Sequence, residues 1–222
     1  MPADTPNSTI MDRLKTETRP HHDQAEGGGF GTAMMSMTLP LSTYKVHIAA
    51  HREIHRAIED AHSESASELI GRVWHDGLRK VPLLDRDLEA LNHGVDEMPE
   101  EVQETVGRFR AMVERRAAED HESLAGVLYV LEGSTMGGTI LRKKIAEGLG
   151  LSAGAGLDYY SVYGNDVMKH FMDFKGRMIE AYDGSEHEDA IVEAAKETFD
   201  LVGEVLRSIP LEPVAAAGDP TE

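Results

Sequence analysis

The sequence contains no cysteine among its 222 residues, which excludes disulfides, thiolate metal sites and cysteine-held iron–sulfur clusters. Positive charge is scarce. Lys and Arg number 22 against 40 Asp and Glu, and the formal charge of -18 repels nucleic acid and anionic lipid alike. No run of about 18 uncharged apolar residues is present to span a bilayer, and Met1-Pro2-Ala3-Asp4 lacks the basic and apolar regions of a secretory signal. No glycine-rich nucleotide fingerprint occurs either. These absences predict a cytoplasmic protein without nucleic-acid or membrane partners, and one whose electrons, if it uses any, come from outside.

What is present is a globular composition, 41% hydrophobic and 28% charged, in a chain long enough for one sizeable core. Apolar residues recur at spacings of three and four with few alternating β-branched runs. Helices are therefore predicted at 9–25, 41–62, 65–92, 99–115, 117–149, 164–183 and 187–208. The expected fold is all-α, a single-domain multi-helix bundle over 9–208, with disordered ends at 1–8 and in the acidic tail 209–222. Gly27-Gly28-Gly29-Phe30-Gly31 separates the first helix from the second, and Gly150, Gly154 and Gly156 mark a loop before Tyr159-Tyr160. Pro40, Pro82 and Pro99 stand at expected helix starts, whereas Pro20 falls inside the first periodic stretch.

Four features could carry chemistry. The helix from Leu124 onward holds Gly133, Gly137 and Gly138 in its middle, at a propensity cost of about 3 kcal/mol relative to alanine. Either a second helix packs on the small face, or the backbone closes directly on a flat ligand. His47, His51 and His55 stack on one helix face among charged neighbours, the pattern of a solvated stripe. A carboxylate-bridged di-iron bundle needs two Glu-x-x-His pairs, and only Glu59 and His62 have that spacing. Finally, His21 and His22 flank an apolar stripe of Ile10, Met11, Leu14, Thr18 and Ala25, so either imidazole can face inward.

Two segments together resemble the haem oxygenase family: Leu14 to Glu26 (LKTETRPHHDQAE), similar to its proximal helix, and Leu128 to Leu141 (LYVLEGSTMGGTIL), similar to its glycine-rich distal helix. Weaker similarity runs through Leu84 to Leu88, Tyr159 to Met178 and Glu193 to Phe199. The phrase Leu-Tyr-Val-Leu-Glu-Gly-Ser is especially similar to the bacterial, biliverdin-producing branch that often serves bacteriophytochromes. The resemblance implies haem as both cofactor and substrate, cleaved with dioxygen (O2) to biliverdin, carbon monoxide and ferrous iron. Electrons would come from a ferredoxin or an NADPH-dependent reductase. By the same resemblance His22 is the iron ligand, with His21 as the alternative because Pro20 bends the helix. Lys15, Tyr129 and Lys175 fall where the family holds the haem propionates, and Phe199 where an aromatic lines the pocket. Ser134 stands where mammalian members carry an aspartate, so distal chemistry is expected from Ser134 with Gly133, Gly137 and Gly138 and a water network. A carrier or sensor that binds haem without turnover is the competing expectation.

Overall fold

The computed structural model describes residues 8–63, 67–151 and 155–211. Among them there is no strand, and the helices gather around one hydrophobic core, as the periodicity predicts. The expected disordered ends lie largely outside these residues, as does Gly154. At the C-terminal end, Ile209 is buried and the Pro210 carbonyl accepts from Thr43, so packing continues slightly beyond 208.

The predicted first helix is two helices, α1 (Ile10–Glu17) and α2 (Arg19–Glu26). Thr9 caps α1 in a capping box with Asp12, and Ile10, Met11 and Leu14 enter the core. Pro20 explains the division: it cannot donate a helical hydrogen bond, and it sits in the first turn of α2, where none is required. Gly27 and Gly28 separate α2 from a short α3 (Gly29–Met35), so the rest of the glycine-rich segment is helical rather than a break. The long helix α4 (Leu41–Ser63) follows Pro40.

The predicted helix 65–92 is also interrupted. α5 (Glu68–Val73) ends at extended Trp74, a 3-10 turn covers 76–78, and α6 (Val81–Leu91) restarts with Pro82 in its first turn. The Glu59 carboxylate on α4 accepts from the amides of Lys80 at 2.6 Å and Val81 at 2.9 Å, capping the new helix. Glu59 is thereby engaged with the backbone of α6.

α7 (Glu100–Glu119) starts at Pro99, and extended Asp120 then stops it. What periodicity renders as one helix over 117–149 is α8 (Leu124–Ser134), a 3-10 turn at 135–137 and α9 (Gly138–Leu149). This stretch, His121–Leu149, is apolar and long enough to cross a membrane, but 56% of its most apolar window is buried inside the protein, as befits a core element. α9 ends on Gly150 in the left-handed region at φ 64°, which favours glycine. α10 (Val167–Tyr182) and α11 (Glu188–Ser208) complete the fold. α11 is the central spine, packing on α8, α2 and α7, while α4 packs on α6 and α7.

Candidate functional site

Between α2, α8, the 135–137 turn and α11 lies a cavity of about 780 Å³, walled mainly by apolar side chains. That volume suits a cofactor-sized ligand. His22 and Ala25 of α2 line it, as do Phe199 and Val202 of α11, and the His22 ring meets Phe199 edge-on at 5.4 Å. Gly133, Ser134, Gly137 and Gly138 also line it, together with Tyr159, Tyr160 and Tyr163 from the turns before α10.

The glycines divide the two explanations offered by sequence. A Cβ at Gly133 would meet nothing within 4 Å, and one at Gly137 only Leu141 at 3.8 Å, so no helix packs against either. Gly138 is different: its Cβ would stand 3.2 Å from the Tyr160 carbonyl. The tight helix contact belongs to Gly126, one turn into α8, where a Cβ would lie 2.0 Å from the Ile191 carbonyl of α11. Gly133 and Gly137 thus present bare backbone to the cavity, where a flat ligand can approach closely.

The Heme oxygenase family model matches residues 8–208, nearly the whole described chain. The chain belongs to the haem oxygenase family. No curated protein matches its sequence. Among solved structures, the haem oxygenase of Leptospira interrogans is similar at TM-score 0.78 and 22% identity, covering 90% of this chain and 98% of that one. Haem oxygenase-2 from Synechocystis sp. PCC 6803, solved with haem and NO, reaches TM-score 0.80 at 19% identity, covering 90% and 85%. Haem oxygenase-1 from the same cyanobacterium, solved with haem, gives 0.77 at 20%, covering 89% and 90%.

Within this member of the haem oxygenase family, the two histidines of α2 have different surroundings. His22 lines the cavity; its Nδ1 lies 3.4 Å from Asp23 and its Nε2 3.3 Å from Glu26, long contacts to exposed carboxylates. His21 Nδ1 is held at 2.8 Å by Asp200 of α11, and its ring is not part of the wall. Tyr129 and Phe199 line the cavity as well. Lys15 and Lys175 do not. Both lie close enough to Asp12 to lower its pKa, after the stronger effect of its bonds to Thr9. Lys175 is one helical turn beyond Phe171, a wall residue. The cation that does reach the wall is Arg207, which the sequence did not single out.

The expected solvated histidine stripe is buried. His47 and His55 are 2% and 3% exposed, and His47 and His51 line the cavity. Burial holds His47 and His55 far below the ordinary imidazole range and lowers His51 to about 4, so all three are neutral. The charged residues around them misled the pattern: Arg52 pairs with Glu53 and Asp85, and Arg56 with Asp60, forming the outer face of the same helix.

Sequence reasoning also missed a buried charged group beneath the glycine kink. Lys80, fully buried, donates to Glu132 at 2.5 Å, to the Leu78 carbonyl at 2.7 Å and to the Tyr163 hydroxyl at 3.0 Å. Tyr163 in turn donates to the other Glu132 oxygen at 2.7 Å. Burial, with the Glu132 carboxylate beside it, raises the Tyr163 pKa, so that hydroxyl keeps its proton. Glu132 directly precedes Gly133, so this network fixes the end of α8 at the cavity. A lysine in a polar stretch carries no periodicity signal of such burial.

Proposed function

We propose that the chain is a haem oxygenase in activity as well as in family, cleaving haem to biliverdin with release of carbon monoxide and ferrous iron. The observation that carries this reading is a large apolar cavity with the imidazole of His22 in its α2 wall and bare glycine backbone across α8 and the following turn. His22 is the residue to hold the iron. Its weak contacts to Asp23 and Glu26 leave the ring free to turn, and no strong carboxylate bond gives it anionic character. Bound haem supplies the iron at which O2 is activated and the macrocycle that is oxidised.

The chain's own residues do the rest. Gly133 and Gly137 would let the main chain press against the flat ligand, Gly138 lets the turn close on the Tyr160 carbonyl, and Ser134 would offer a hydroxyl to an ordered water or to the ligand. Phe199 and Tyr129, both in the cavity wall, would pack against it. Lys15 and Lys175, on flexible stems outside the wall, would offer ammonium groups to its propionates, with Arg207 already at the wall. Electrons come from a ferredoxin or a reductase, since the chain has no cysteine to hold a cluster of its own. A cytoplasmic setting with such a donor, and a bacteriophytochrome as acceptor of the biliverdin, completes the reading.

The test is hemin titration followed by reduction under air. A stoichiometric Soret band that decays as a red biliverdin band rises supports turnover. A stable band under the same electron supply favours a carrier or sensor. His22→Ala should abolish the histidine-ligated spectrum and His21→Ala should keep it; the reverse result reassigns the ligand.

A further inference from the structure

The histidine column of α4 has no part in the reading above, and its members differ in their partners. His47 Nε2 lies 2.6 Å from the Tyr160 hydroxyl, and His55 Nε2 lies 3.2 Å from that of Tyr159. His51, one helical turn from each, meets no tyrosine oxygen. Its Nδ1 stands 3.2 Å from the His47 carbonyl of its own helix, and its Nε2 has no hydrogen-bond partner among the described residues. The ring is nonetheless part of the cavity wall, with His47 at 4.0 Å and the edge of Tyr159 at 5.6 Å.

This arrangement fixes the tautomer. A carbonyl only accepts, so Nδ1 carries the ring proton and donates it to His47. Nε2 is then the bare nitrogen, a lone pair in the wall of a mainly apolar cavity. Burial lowers the His51 pKa to about 4, which leaves that lone pair open at neutral pH. The titratable groups that face the ring are His47 and His55 on its own helix and Tyr159 from the turn at 159–161; no charged side chain of the described residues acts on its titration from α6, α7 or α8. His51 stands with the turn that packs on Gly138, whereas His22 stands with Phe199 of α11, so the two imidazoles belong to different walls.

We propose that His51 is the proton acceptor of the cavity, serving a small neutral acid H–X that enters whole and is held as its anion. The H–X bond breaks, the proton goes to His51 Nε2, and the electron pair of that bond stays on X, which a ferric haem takes as a ligand. Without a base in the wall, the anion itself must leave water for an apolar cavity, at a high desolvation cost. With one, only a neutral molecule crosses. The His47 carbonyl keeps hold of the Nδ1 proton while the ring takes up charge, and the new Nε2 proton points at the anion beside it. This inference rests on the cavity being the haem site.

The experiment uses the full chain loaded with ferric hemin, with cyanide as the probe and the Soret band followed by stopped flow. At neutral pH nearly all of the probe is hydrogen cyanide, the neutral acid. In the unchanged protein the rate constant per total cyanide should be flat from about pH 8 down to about pH 5.5, falling only as His51 itself becomes protonated. In His51→Leu only the anion reacts, so the rate constant at neutral pH should drop about 10²-fold and then rise about tenfold per pH unit. His51→Gln, polar but not a base, should show the same slope, and it carries the test if the leucine variant does not fold. Carbon monoxide has no proton to lose and should bind the reduced complexes of parent and variants at like rates. The parent's pH profile retained in the variants, or an equal loss for carbon monoxide, overturns the proposal. In the ligand-free protein, histidine ring ¹⁵N shifts read the tautomer directly: a bare Nε2 on His51 supports the acceptor, and a proton there overturns it. If hemin fails to bind, that second measurement still decides on His51, and only the haem reading sinks.

Discussion

Gly126 and Gly133 lie on one helix seven residues apart, and alanine should do opposite things at the two. At Gly126 the added Cβ would stand 2.0 Å from the Ile191 carbonyl oxygen and 2.9 Å from the Ala195 nitrogen, both backbone atoms of α11. Ordinary contact needs about 3.5 Å, so α8 and α11 would have to separate by roughly 1.5 Å. Overpacking of this kind costs about 1–3 kcal/mol and sometimes more, against a propensity gain of about 1 kcal/mol from replacing glycine. Because the obstacle is main chain and α11 is the spine of the fold, Gly126→Ala should sit at the costly end, a net loss of about 2 kcal/mol. For a chain of this length that lowers Tm by roughly 4–8 °C. At Gly133 nothing stands within 4 Å, and Gly133→Ala should keep the propensity gain, raising Tm by about 2–4 °C. The same methyl then projects into the cavity and should weaken hemin binding at least fivefold, about 1 kcal/mol. Thermal unfolding without ligand and hemin titration decide the matter. If Gly133→Ala gains stability and still binds hemin like the parent, the ligand does not require that glycine. If Gly126→Ala is neutral, the helix contact is softer than its geometry states.

The remaining predictions concern charge. Lys80→Met leaves Glu132 buried with only Tyr163 as partner and should cost about 3–5 kcal/mol in urea unfolding, while Lys80→Met/Glu132→Leu should recover most of it; a double variant no better than the single one would refute the pairing argument. Four buried histidines, His47, His51, His55 and His62, have folded pKa values below the unfolded 6.5, with His51 near 4 and His62 near 3. The unfolded chain thus binds more protons, and the stability they contribute is complete above pH 6.5 and falls as the pH drops below it. Each adds up to ~1.4 kcal/mol per pH unit. A urea midpoint that stays flat from pH 7 to pH 5 would contradict their burial. Lys15→Ala and Lys175→Ala, both surface substitutions, should each weaken hemin binding only about two- to fivefold and more at low salt; no change at low ionic strength would remove them from the propionate site.

The helical class, the helix-initiating prolines and the glycine-rich segment were legible because each is a local signal: period, fixed φ and absent side chain act within a few residues. The histidine column was misread for a related reason. Arg52, Glu53, Arg56 and Asp60 form a charged outer face, and at a period of 3.6 a helix can carry that face and a buried polar face together. Nothing local separates a histidine held by Tyr159 or Tyr160 from one held by water; the hydroxyls arrive from a turn about 100 residues later. Lys80 was invisible on the same grounds, since its carboxylate lies 52 residues away. The glycine problem shows the limit most sharply. Counting glycines in the segment from Leu124 to Leu149 predicts that something compensates their cost, but not which glycine answers to which partner. The structure divides them, Gly126 to the α11 backbone, Gly138 to the Tyr160 carbonyl, and Gly133 with Gly137 to the cavity. A ligand-facing glycine and a helix-facing glycine are identical in sequence, and only the atom that a Cβ would strike tells them apart.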